Sequence, residues 1–101
     1  MPSKNNMRPV HPGEVLLEEF LKPLDLSANK LAGVLNVPTN RITEIVAEQR
    51  GVTADTALRL ATVLGTSPEF WMNLQQTYEL RTTAKDIATE LRAMKPLQKT
   101  A

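Results

Sequence analysis

The sequence predicts an all-α domain of five to six helices. Three observations carry that expectation. Apolar residues recur at helical spacing between chain breakers, capping residues stand before those segments, and strand-like alternation is absent. The chain has 101 residues, 42% of them hydrophobic, enough for one modest core without metals or disulfides. The expected organisation is a flexible tail over 1–10, a main domain over 11–80, and a helical extension with a frayed tail over 81–101.

The first helix is expected after His11-Pro12-Gly13-Glu14. Glu14, Glu18 and Glu19 crowd its N-terminal half and Lys22 closes it, which suits the helix dipole. Val15, Leu16, Phe20 and Leu21 form its core stripe, and Pro23 should end it. Ser27 caps the second helix, which turns Leu31, Ala32 and Leu35 inward. Asn36 and Val37 turn the chain, since Asn tolerates the left-handed conformation at a helix end. Pro38 can open the third helix, which buries Ile42, Ile45 and Val46. Gly51 is its expected left-handed terminator.

Thr53 caps the fourth helix, with Asp55 in its first turn. Ala57, Leu58, Leu60, Ala61 and Leu64 are its expected buried face, and Gly65 stops it. Ser67-Pro68-Glu69 is a helix start of cap, proline and acid. Phe70, Trp71, Leu74 and Tyr78 follow at helical spacing, with Phe70 and part of Trp71 assigned to the core. Thr83 could cap a last helix with Asp86 three residues on, carrying a thin stripe of Ile87, Leu91 and Met94. Alternatively the last two helices are one bent helix.

The stretch Leu26–Gly51 reads as two short helices joined by a tight turn. Burial of Ile42, Ile45 and Val46 leaves Thr39, Asn40, Arg41, Thr43 and Glu44 facing out. A short helix with such a polar face fits a DNA major groove. Arg41 could fork onto guanine O6 and N7, and Asn40 could bond adenine N6 and N7. Thr39 and Thr43 offer methyls and hydroxyls, and Glu44 could accept from a cytosine amino group. Ser27, Asn29 and Lys30, at the positive end of the preceding helix, are candidates for a backbone phosphate, as is Arg50. The competing reading of these residues is a solvated polar face.

Charge weighs against DNA. The net charge is +1, and residues 1–50 hold six Lys or Arg against six acids. A lone monomer should therefore bind weakly, so a dimer is expected. The single His and the lack of Cys leave no acid–base, thiol or disulfide chemistry and no metal set. No cofactor, catalytic residue or small-molecule substrate is expected. No apolar run reaches the roughly 18 residues a membrane span needs. Residues 1–14 carry no apolar signal segment. The expectation is a soluble cytoplasmic protein.

The core LSANKLAGVLNVPTNRITEIV with TADTALRLATVLGTSPEFW resembles the Cro/CI-like (XRE) helix-turn-helix domain, a lambda-repressor-like fold. Its carriers are Leu31-Ala32, Asn36-Val37, Ile42, and Leu60, Ala61, Leu64 and Gly65. Two flanking motifs, His11-Pro12-Gly13-Glu14 and the run from Gly65 to Gln75 (GTSPEFWMNLQ), resemble the HigA (VapI) antitoxin family. The resemblance covers about residues 7–80. It implies a type II antitoxin: a homodimer that binds double-stranded operator DNA before its own operon and neutralises a HigB-like toxin, a RelE-fold ribonuclease, by protein contact. It implies dimerisation through C-terminal helices, mapped here onto Trp71, Leu74, Tyr78, Ile87 and Leu91. The chain departs from the wider domain at Pro38, where Ser or Thr usually caps the reading helix; a lost side-chain cap costs about 1 kcal/mol. The alternatives are a stand-alone transcription regulator of the same fold and a protein-interaction module that no longer binds DNA.

Overall fold

The computed structural model describes residues 8–97, and these form six helices and no strand. The expected tail residues 1–7 and the end of the chain from 98 onward lie outside the described residues. Residues 8–10 are tied down: Arg8 pairs with Glu14 at 2.8 Å, and Pro9 and Val10 are half-buried.

Helix α1 spans 12–24 and begins at Pro12, earlier than expected. The cap is His11, whose Nδ1 accepts the Gly13 N–H at 2.8 Å. The middle of α1, Leu16–Leu21, is a π-helical stretch in which the Lys22 N–H reaches the Leu17 carbonyl. Pro23 does not end the helix. The wider π turn just before it gives its ring room and spares the bond that proline cannot make. The chain leaves α1 at Asp25, in the left-handed region with φ 53°.

Helix α2, Ala28–Leu35, is capped by Ser27, whose Oγ accepts the Lys30 N–H at 3.0 Å. Asn36 turns left-handed as expected, with φ 61°. Helix α3, Thr39–Val46, follows. Pro38 holds the cap position rather than the first helical one, because its ψ of 146° is extended. Proline offers no side-chain acceptor there. Helix α3 ends at Val46, and Glu48 at φ 64° is its left-handed terminator; the Gln49 N–H closes back onto Glu44 at 2.8 Å.

Gly51 has another reason to be glycine. A Cβ there would lie 2.7 Å from Gln75 Nε2. The buried Gln75 in turn accepts the Val52 N–H at 2.7 Å, pinning the α3–α4 loop.

Helix α4, Ala54–Leu64, is capped by Thr53 and stopped by Gly65 at φ 79°. Ala57, Leu60 and Ala61 are buried, but Leu58 is 56% exposed. It stands one residue off the inward stripe, a rotation of about 100°. Helix α5, Pro68–Asp86, is capped by the Ser67 hydroxyl, which accepts the Phe70 N–H at 3.0 Å. Thr83 lies inside α5 and caps nothing. The helix breaks only at Ile87, with φ −112°, before the short α6, Ala88–Ala93.

Trp71 sits fully buried among Leu16, Leu31, Ile42, Ile45 and Leu60. Its indole N–H donates to Thr66 Oγ1 at 2.7 Å. Phe70 and Trp71 exchange their expected roles: Phe70 lies at the rim, 36% exposed, edge-on to the indole at 4.9 Å. Beyond Tyr78 no residue of α5 or α6 is fully buried.

Candidate nucleic-acid interface

Two groups of contacts fix α3. Ile42 and Ile45 are fully buried, which sets its rotation. Gly13 sets its closeness to α1: any Cβ at that position would run into the Ile45 carbonyl. The His-Pro-Gly-Glu motif thus has a mechanical meaning. His11 caps α1, Pro12 is buried in its first turn, Gly13 lets the backbone of α3 approach, and Glu14 holds Arg8.

The His11 ring is buried and lies edge-on to Tyr78 at 4.8 Å between centroids. Burial pushes its pKa below the ordinary value, against a smaller opposing pull from Glu48. Because Nδ1 accepts a hydrogen bond, the neutral ring carries its proton on Nε2.

With the aliphatics facing in, Thr39, Asn40 and Thr43 are exposed, and Arg41 and Glu44 are partly exposed. All five lie in α3, with Thr39 to Arg41 in its first turn. The Thr39 hydroxyl donates to Asn29 Oδ1 at 2.8 Å, which joins the starts of α3 and α2. The structure therefore brings a candidate phosphate contact beside the candidate base contacts. Ser27 spends its hydroxyl on the α2 cap, and Lys30 is exposed one turn in.

Both arginines of the site already hold carboxylates. Arg41 Nη1 meets Asp55 Oδ1 at 2.8 Å, and Arg50 meets Glu44 Oε1 at 2.8 Å. Asp55 also takes Arg59 Nε at 2.7 Å, and Arg59 Nη1 donates to the Leu35 carbonyl at 2.8 Å. Hydrogen bonds from Arg59 and then Arg41 hold the Asp55 carboxyl below the usual carboxylate range. Sequence reasoning gave Asp55 only a role toward its helix dipole and gave Arg59 none. Their four-residue spacing signals an ion pair on one helix face, but the link to Arg41, fourteen residues away, is purely tertiary.

The five residues assigned to a dimer contact do not share a surface. Trp71 is a correction: it is wholly internal and offers nothing to a partner. Leu74 packs against the core, and Tyr78 is half-buried against His11. Ile87 and Leu91 are exposed, at 38% and 44%. Leu80, at 66%, and Met94, at 64%, are exposed as well. Among the described residues, no group of three or more His, Asp or Glu could hold a metal, and no helix is long and apolar enough to cross a membrane.

The family model described as helix-turn-helix matches residues 17–71, which span most of α1 through the start of α5. Virulence-associated protein I of Dichelobacter nodosus is 53% identical over 83 residues, covering 82% of this chain and 77% of that protein. The structure of Pseudomonas aeruginosa antitoxin HigA with the higBA promoter is 43% identical, with a TM-score of 0.87, covering 90% of this chain and all of that one. The structure of antitoxin GraA in complex with its operator is 45% identical, with a TM-score of 0.85, covering 97% of this chain and all of that one.

Proposed function

Since this chain belongs to the helix-turn-helix family of HigA and VapI antitoxins, we propose that it binds operator DNA as a homodimer, represses its own operon and neutralises a HigB-like toxin by contact. The observation that carries the DNA part is the outer face of α3. It is short, polar and rigidly set by Ile42, Ile45 and the Gly13 approach, with its first turn clear of the core. In this reading Asn40 and Arg41 face base edges, while Thr39, Thr43 and Glu44 flank them. Asn29, Lys30 and the α2 start sit over a phosphate, and Arg50 reaches a second one once it leaves Glu44. Solved relatives that hold promoter or operator DNA support DNA binding by this chain.

Pairing is assigned to α5 and α6. Leu80, Ile87, Leu91 and Met94 leave apolar side chains uncovered on both sides of the break at Ile87, and these are the surface offered to a second copy. A two-fold pair would set its reading helices roughly 34 Å apart. The protein acts inside the cytoplasm and has no catalytic step of its own.

The test is a gel shift on duplex DNA from upstream of the chain's own reading frame. Asn40→Ala and Arg41→Ala should each weaken specific binding about tenfold, the value of one good base contact. Unchanged specific binding by both variants overturns the base-reading assignment. Co-expression with the product of the adjacent reading frame tests the toxin partner. A stable complex with a ribonuclease supports the antitoxin role, and an adjacent product that neither binds nor poisons cells favours the stand-alone regulator.

A further inference from the structure

Asp55 is the second residue of α4, exposed, and two arginines converge on its Oδ1: Arg41 from α3 at 2.8 Å and Arg59 from its own helix at 2.7 Å. Arg59 is itself anchored to the Leu35 carbonyl at the end of α2. One carboxylate thus ties the reading helix to both helices that flank it.

The bonding pattern on Arg41 has a direction. Asp55 is met through Nη1 alone. The opposite edge of the guanidinium, Nε with Nη2, keeps its donors for a second planar partner. That edge matches the paired O6 and N7 acceptors of guanine. A phosphate can fork onto that same edge, so the edge alone does not favour the base. The negative charge of Asp55 does, because it repels an anionic phosphate and not a neutral guanine.

We propose that Asp55 is a positioning residue for base recognition: it holds Arg41 over the reading face with one edge presented, so that Arg41 selects guanine instead of joining any phosphate within reach. The inference rests on the base-reading role proposed above for Arg41.

Fluorescence anisotropy with the full chain tests it, using the upstream operator duplex and a scrambled duplex of equal length. The quantity read is the ratio of the two affinities. Asp55→Asn should lower that ratio about fivefold or more, while affinity for the scrambled duplex rises. In an Arg41→Ala background the same substitution should leave the ratio unchanged, a result that a merely structural role for Asp55 would not give. A thermal melt of each variant confirms that it is folded at the assay temperature. If Asp55→Asn leaves the ratio unchanged or raises it while Arg41→Ala lowers it, the positioning role is overturned and base reading by Arg41 stands. If Asp55→Asn lowers the ratio equally in both backgrounds, Asp55 does not act through Arg41 and the inference fails. If Arg41→Ala itself leaves the ratio unchanged, the base-reading assignment falls and this inference with it.

Discussion

Helix α3 and the α5–α6 arm are both largely polar, yet they are held in opposite ways. Helix α3 has eight residues and is fixed at every point: two buried isoleucines, a glycine-sized gap to α1, and ion pairs to α4 and the following loop. The arm beyond Tyr78 has no fully buried residue and carries exposed apolar side chains. A polar helix locked onto a core is suited to present side chains at fixed places. An arm whose apolar side chains face water is suited to be covered by something else. The first region places its groups in advance, and the second leaves apolar surface uncovered.

The largest effect that separates the two regions is expected at Trp71. Trp71→Ala empties the centre of the core and should cost about 3–5 kcal/mol, read as the shift in a urea unfolding curve. If the loss is under 1 kcal/mol, the core does not hinge on the indole. Gly13→Ala should follow, at about 1–3 kcal/mol, because the new methyl pushes α1 and α3 apart. Its signature is weakened operator binding at a temperature where the variant is still folded.

Acidification probes the same junction more gently. The native His11 titrates below its ordinary value, about 6.5. Between the native and ordinary values the unfolded chain binds more protons than the folded one. Stability from this group is therefore fully present above the ordinary value and falls as pH drops through it. Protonation also removes the Nδ1 acceptor that caps α1. Urea midpoints should decline from pH 7.5 to 5.5, and His11→Asn, which keeps a capping acceptor without titrating in this range, should flatten that decline. The smallest stability effect is expected at Leu91. Leu91→Ala should move monomer stability by about 0.5 kcal/mol or less, yet weaken the proposed self-association, read as a higher dissociation constant in sedimentation equilibrium. A large stability loss with unchanged association would reverse the contrast between arm and core.

The sequence displayed what is local and hid what is tertiary. Caps at Ser27, Thr53 and Ser67, the left-handed Asn36 and the stop at Gly65 follow from side-chain chemistry within a few residues, and all were legible. So was the inward face of α3, because its spacing is unambiguous. Gly51 misled because glycine suits a left-handed terminator, whereas the chain uses Glu48 there and needs Gly51 for clearance from Gln75, twenty-four residues away. Leu58 and Phe70 misled because apolar character does not say which side of a helix is covered. The ties of Arg41 to Asp55 and of Gly13 to Ile45 join separate helices, and no spacing rule encodes them.

Amide chemical-shift mapping of the full chain during titration with its upstream operator duplex decides which region meets DNA. The largest changes are expected at the start of α2 and in the first turn of α3, from Ser27 to Lys30 and from Thr39 to Glu44. The arm from Leu80 to Met94 should stay largely unmoved. Changes concentrated in the arm, with the first turn of α3 undisturbed, would contradict it.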